Sequence, residues 1–423
     1  MIEVNEFIER RNRIIEKMDD NSILILFAGV AKTRSEDEDY PFSINRNFYY
    51  LTNIEQENSI LVIRKNDGYL KEALYLSTYD PLVEKWTGKR LTLEEAKTIS
   101  GIENCLYLSQ IEADLKEELS FNPTKIYLDL SKFYDVKTNK NIDFVVDSIK
   151  NDLKNVEISN IYSEIVKLRM VKSEAEINEF RKAISITSNA LKTLMLNLKE
   201  DKKEYEFTSL FYHEIHSQEH SELSFPTISA AGKNATCLHY TTSFDNLNKN
   251  DLILFDLGAT HNYYCADISR TYPINGKFSS LQKKIYEIVL DANKLVIKEA
   301  KPGVTIKELN KKVTDFMAKE CVKEGLINTE EEIKDYYFHS VSHFIGLDTH
   351  DPSASEENLR YGEIKLEKGH VISDEPGLYF ANLGIGVRIE DDLLITEDGC
   401  LNLSEEIIKD VHEIEKFMKG GRK

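Results

Sequence analysis

"LILFDLGATHNYYCADISRTY", residues 252–272, is the stretch on which the reading of the fold turns. Four apolar residues, 252–255, run straight into Asp256; a Gly- and Asn-containing segment follows, and a second strand-like run carries Asp267. That is the pattern of a β-hairpin. A turn near 260–263 puts the two aspartates roughly opposite each other. Asp is depleted in strands, and two carboxylates facing across a hairpin repel and desolvate one another. Taken singly, either one reads as a turn residue or a water-facing side chain. Taken together, after so apolar a run, they demand a positive partner.

The anomaly recurs downstream. Glu375 lies in "GHVISDEPG" (369–377) and Glu390 in "GIGVRIEDDLLIT" (384–396), both acids embedded in strand pattern. Asp256, Asp267, Glu375 and Glu390 carry −4, which two divalent cations would neutralise; a bound hydroxide would bring the total to −1. Without metal, four buried carboxylates would mostly be protonated, at a cost of several kcal/mol. A neutral imidazole suits as a fifth ligand. "HSVSHFIGLDTHD" (339–351) holds three of the chain's ten histidines, at 339, 343 and 350. A lone histidine is more often packed or solvated, but three beside such an acid set weigh differently.

Working outward, residues 173–400 read as helix, helix, strands, then helix, helix, strands, offset by a little over 100 residues. Ser173 with Glu176 and Thr305 with Glu308 make capping boxes, and Ser279 opens another long helix. Such a pseudo-repeat places the strands of both halves side by side, so their polar groups meet where the halves join. Before it, "SILILFAG" (22–29), "SILVIRK" (59–65), "EALYLST" (72–78) and "KIYLDLS" (125–131) read as strands with helical segments between them. The organisation expected is therefore an N-terminal α/β domain, 1–165, and a pseudo-two-fold α/β domain, 166–423.

Bulk composition fits this. The 423 residues are 41% hydrophobic and 30% charged, enough for a large core. A net charge of −19 argues against a nucleic-acid surface. No window approaches a membrane span, and the N-terminus lacks a signal-peptide core, so no membrane partner is expected. The five scattered cysteines suggest reduced thiols and a cytoplasmic protein.

The set Asp256, Asp267, His343, Glu375 and Glu390 resembles the metal ligands of the pita-bread metallopeptidases, which include methionine aminopeptidase, prolidase and Xaa-Pro aminopeptidase. "FPTISAAGKNATCLHY" (225–240) resembles the segment that presents a catalytic histidine, here His239, and His339 and His350 match two further active-site histidines. "RSEDEDYPFSINRNFYYLTNIEQENSILVI" (34–63) and "DPLVEKWTGKR" (80–90) are similar to the amino-terminal domain of Xaa-Pro aminopeptidases. Two departures stand out. Ser373 replaces the usual Thr two residues before the first Glu ligand, and Asp374 fills a commonly apolar place, where it either alters the surroundings of the site or faces away.

The resemblance implies two divalent ions, most suitably manganese with cobalt or zinc as substitutes, given the oxygen-rich ligands. Asp267 and Glu390 would bridge them, Asp256 would bind one, and His343 with Glu375 the other. A shared water would lose its proton and attack the scissile carbonyl, with Glu375 shuttling the proton and His239 and His350 hydrogen-bonding substrate and oxyanion. His339 and Arg388 would serve substrate binding, Arg388 either orienting carboxylates or meeting a substrate carboxylate. The substrate implied is a peptide with proline in second position, cleaved after its first residue. Prolidase action on dipeptides and a non-catalytic binding role on the same fold are the alternatives. A homodimer or homotetramer is expected. Trp86, the only tryptophan, reads as a packed core residue or as a lining of the substrate pocket. "HEIHSQEH" (213–220) sets three histidines on one helix face without HExxH spacing, so a solvated face is the better reading.

Overall fold

A computed structural model describes residues 2–78, 80–130, 156–355 and 359–421. The chain divides into two compact units, Ile2–Arg169 and Met170–Lys423.

In the first unit, aliphatic runs build a six-stranded mixed sheet. Its order is Cys105–Tyr107, Tyr69–Leu76, Ile60–Asn66, Ser22–Phe27, Lys125–Leu128, Glu157–Asn160. All four strands expected here are present, joined by short edge strands at each side. Alternation decides the core face. Ile23, Ile25, Ile60, Val62, Ala73, Tyr75, Ile126 and Leu128 bury one side against Ile111, Leu115 and Leu119 of helix Ile111–Ser120. Those three recur every four residues and so form one helical stripe.

The second unit opens with helix Glu174–Asn197, capped by Ser173 and Glu176 in a reciprocal box, and continues with helix Glu204–His216. Strands Ile228–Ala231, Leu252–Leu257 and Ile268–Pro273 follow as one antiparallel sheet, with Leu252–Leu257 central. The second pass has helices Ser280–Glu299 and Ile306–Lys323, capped by Ser279 and by the Thr305–Glu308 box. Its strands are Val371–Asp374, Asp391–Ile395 and Cys400–Asn402, with a separate hairpin of Gly377–Phe380 and Ile385–Arg388. This is the pseudo-two-fold pita-bread arrangement, and its halves touch where they should. Glu390 N–H donates to the Ser269 carbonyl at 3.0 Å, and Thr271 Oγ1 bonds the Arg388 backbone. Among the described residues no helix is long and apolar enough to cross a membrane.

The decisive hairpin has a different register from the one expected. Asp256 pairs with Ser269, and Thr260 with Cys265. The turn is centred on Asn262 and Tyr263, both at positive φ (48° and 68°), the pattern of a tight primed turn. Tyrosine is not a signal for such a turn, so the sequence reading centred it one residue early. The aspartates therefore sit diagonally, two pairs apart, and still share a face. Close approach here excludes a side chain at Gly258, since a Cβ would lie 1.8 Å from the Ala266 carbonyl oxygen.

Two further expectations change. The helix bearing His213 and His216 ends at His216, and His220 lies beyond it at φ 55°, so the three histidines do not share one helix face. All three are exposed. Trp86 is not a core residue: it is 89% exposed, on a short helix, Pro81–Thr87, that buries none of its residues.

Candidate metal centre

Four strand ends and one loop converge in the second unit. Asp256 is the penultimate residue of the apolar strand Leu252–Leu257, and Asp267 immediately precedes Ile268–Pro273. Glu375 follows Val371–Asp374, and Glu390 follows the hairpin strand Ile385–Arg388. His343 arrives on a segment that lies along Val371–Asp374. Ser373 N–H donates to the His343 carbonyl at 2.9 Å, and Glu375 N–H to the Val341 carbonyl at 2.9 Å. The Ser373 hydroxyl accepts from His343 N–H at 3.0 Å and reaches Glu375 Oε1 at 3.4 Å. The smaller Ser thus makes these contacts without the usual methyl.

Donor atoms of Asp256, Asp267 and Glu390 all lie within 4.8 Å of one another, as do those of His343, Glu375 and Glu390. His343 Nε2 is 3.3 Å from Asp267, 3.6 Å from Glu375 and 3.9 Å from Glu390. Its Nδ1 donates to the Phe344 carbonyl at 3.1 Å, which leaves Nε2 as the nitrogen turned towards the acids. His350 also comes within reach, its ring 4.4 Å from that of His343 and its donor grouped with Asp267 and His343. The structure therefore brings together all five residues named from the sequence.

The electrostatics fit a cation. Burial raises the carboxyl groups of Asp267 and Glu390, and mutual repulsion among the acids adds to it. Glu375 is pushed up to about 7, chiefly by burial. Burial alone would lower His343, but its hydrogen bond to Asp267 and the charge of Glu375 lift it to about 9. Asp256 Oδ1 is buried with no hydrogen-bond partner. An acid set of this depth with an orphaned oxygen is what a divalent ion would satisfy.

Arg388 is the fixed cation beside it. Its guanidinium donates to Asp256 Oδ2 at 2.5 Å, Ser269 Oγ at 2.7 Å and Tyr379 Oη at 3.1 Å. Ser269 in turn donates to Glu390 Oε2 at 2.8 Å. Tyr379 Oη also meets His339 Nε2 at 2.8 Å. Burial, then Arg388, holds His339 down at about 4, so it is neutral. Burial, then the charge of His343, also lowers His350. His239 is exposed on the segment after the turn Gly232–Thr236 and acts electrostatically on both His339 and His350. Ser269 and Tyr379 were not singled out from the sequence; a serine or tyrosine inside a strand carries no signal that separates it from core.

Asp374 faces away. Its Oδ2 accepts from Asn293 Nδ2 at 2.9 Å, and the same amide donates to Asp391 Oδ2 at 3.1 Å. Lys409 and Arg270 hold Asp391 from the other side.

Residues 178–397 match metallopeptidase family M24, and residues 7–127 match the aminopeptidase P N-terminal domain. The chain belongs to metallopeptidase family M24. Its relatives are more specific. It is 35% identical to the Xaa-Pro aminopeptidase of Haemophilus influenzae, over 98% of this chain and 97% of that protein. It is 32% identical to the Xaa-Pro aminopeptidase of Escherichia coli, over 99% and 98%. Among solved structures, a zinc-substituted E. coli aminopeptidase P in complex with product superposes with a TM-score of 0.91 at 30% identity, covering 100% of this chain and 99% of that one. An aminopeptidase P candidate from Bacillus anthracis reaches 0.94 at 41% identity, covering 99% of each chain.

Proposed function

We propose that this chain removes the N-terminal residue from peptides whose second residue is proline, in a reaction that needs divalent metal. The observation that carries the reading is the meeting of two donor groups, Asp256 with Asp267 and Glu390, and His343 with Glu375 and Glu390, which share Glu390. It is supported by the near-complete coverage of Xaa-Pro aminopeptidase relatives and by the E. coli structure with the inhibitor Pro-Leu.

These five residues would hold two divalent ions, which supply Lewis acidity towards the scissile carbonyl and lower the pKa of a water towards about 7. Manganese suits four carboxylates and one imidazole. Glu375 accepts the proton released by the attacking water and delivers it to the leaving prolyl nitrogen. That nitrogen belongs to a tertiary amide with no N–H, so recognition has to come from ring shape and from the carbonyl. His239 and His350, the exposed pair, hydrogen-bond the substrate and the carbonyl oxygen as negative charge develops on it. Neutral His339 positions Tyr379, and Tyr379 steadies Arg388. Arg388, buried and already bonded to three protein groups, orients Asp256 in preference to meeting a substrate carboxylate. Trp86, wholly outside the core, remains suited to contact with peptide.

Mass analysis of products tests this. A peptide beginning Ala-Pro should lose alanine alone, and the same peptide with Ala in second place should persist. Cleavage confined to Ala-Pro dipeptide would make the chain a prolidase, and cleavage of neither would refute hydrolysis before proline.

A further inference from the structure

The segment that carries His239 is gripped from one side by a single buried carboxylate that no step above uses. Glu204 is 0% exposed. Its Oε1 accepts from Ala231 N–H at 2.7 Å and Asn234 Nδ2 at 3.0 Å. Its Oε2 accepts from Tyr240 Oη at 2.8 Å and Asp245 N–H at 3.1 Å. Two donors precede His239 in the chain and two follow it, so one side chain closes the loop around that histidine.

The carboxylate is itself well fixed. Glu204 is the first residue of helix Glu204–His216, where the helix dipole favours negative charge. Its N–H donates to the Asp245 carbonyl at 3.1 Å, and Leu247 N–H to the Lys202 carbonyl at 2.8 Å, so backbone pairing ties the helix start to the far end of the loop. Asn234 cross-links the donors by reaching both Asp245 Oδ2 (2.8 Å) and Tyr240 Oη (3.0 Å). From the opposite side, Gly386 abuts the turn Gly232–Thr236 so closely that a Cβ there would lie 2.0 Å from the Ala235 carbonyl oxygen. Strand Ile385–Arg388, which leads to Glu390, thus forms the wall against which Glu204 draws the loop.

We infer that Glu204 is a positioning residue for His239, fixing through Ala231, Asn234, Tyr240 and Asp245 the pose in which that histidine meets substrate. The inference rests on the proposed role of His239. A carboxylate that only accepts is essential to the design. In Glu204→Gln one of the two oxygens becomes an NH₂ donor; the Tyr240 hydroxyl can turn to accept from it, but the Asp245 N–H loses its acceptor, so the grip is weakened without loss of volume.

A double-mutant cycle on the metal-loaded full chain tests it. Glu204→Gln should lower kcat/KM for an Ala-Pro peptide about tenfold or more, with manganese stoichiometry unchanged. In a His239→Ala background the same substitution should cost less than about twofold. Tyr240→Phe and Asn234→Ala each release part of the grip and should show the same non-additivity on a smaller scale, which keeps the test open should Glu204→Gln fold poorly. Equal losses in both backgrounds, or no loss from Glu204→Gln, would overturn the positioning role alone. Full activity of His239→Ala would overturn the role of His239, and with it this one.

Discussion

The Arg388 guanidinium lies 2.5 Å from Asp256 Oδ2, both groups buried at the seam between the two halves of the second unit. The pair sets a permanent cation among acids that otherwise repel one another. Arg388→Lys keeps the charge but cannot reach Asp256, Ser269 and Tyr379 at once, because an ammonium is a point donor and a guanidinium a fork. We expect kcat/KM to fall about 10–100-fold while bound metal stays near the wild-type level. Steady-state kinetics alongside elemental analysis check this; unchanged kinetics would show that charge alone suffices.

His343 and His350 have rings 4.4 Å apart, and the proposed mechanism gives them different duties. His343→Ala should strip metal from the protein. His350→Ala should retain metal and lose about 10²–10³-fold in kcat, the usual cost of an oxyanion donor. Equal metal loss in both variants would merge the two roles.

Asp374 and Asp391 face each other across an antiparallel pair. Burial, then the charge of Asp391, pushes the Asp374 carboxyl well above its ordinary range, and Asn293 donates to both. Asn293→Leu should cost about 1–3 kcal/mol in denaturant unfolding, the penalty for leaving the buried Asp374 Oδ2 unpaired, while Asp391 keeps Arg270 and Lys409. Adding Asp374→Val should recover part of that loss, since the orphaned acid is then gone. A double variant no more stable than Asn293→Leu would contradict this account of the pair.

His370 is buried, with its Nδ1 accepting from Glu367 N–H at 3.1 Å. Burial, then the nearby Lys172 charge, depresses it from 6.5 to about 3. The unfolded chain therefore takes up a proton below about 6.5 that the folded chain refuses, and stability falls as pH drops through that window. His370→Asn keeps an acceptor and cannot titrate. Between pH 6.5 and 5 the wild type should lose up to about 2 kcal/mol more than the variant, at 1.36 kcal/mol per pH unit. Parallel pH profiles from chemical denaturation would rule this out.

Much of this site was legible before any coordinates. Aliphatic runs that collide with Asp256 or Glu390 break the rule for buried strands, and only a counter-charge explains four such breaks. Capping boxes at Ser173 and Thr305 marked helix starts because their chemistry is local. What the sequence hid was of two kinds. The turn at Asn262–Tyr263 uses a residue that seldom adopts positive φ, so the register slipped by one residue at the turn and by two across the ladder. Ser269, Tyr379 and Glu204 act through partners distant in the chain, and no spacing rule reaches that far. Trp86 was read either as packed core, because large aromatics usually bury, or as a lining of the substrate pocket; it lies 89% exposed on a short helix that buries none of its residues.

In the proposed mechanism Asp256, Asp267, His343, Glu375 and Glu390 would hold two divalent ions without which nothing is hydrolysed. Manganese titration into chelator-stripped protein, with Ala-Pro peptide hydrolysis followed at each addition, tests it most directly. We expect no activity at the start, a rise that saturates at two ions per chain, and no such rise in Asp267→Ala. Full activity in the stripped protein, or an Asp267→Ala variant that titrates like the wild type, would contradict it.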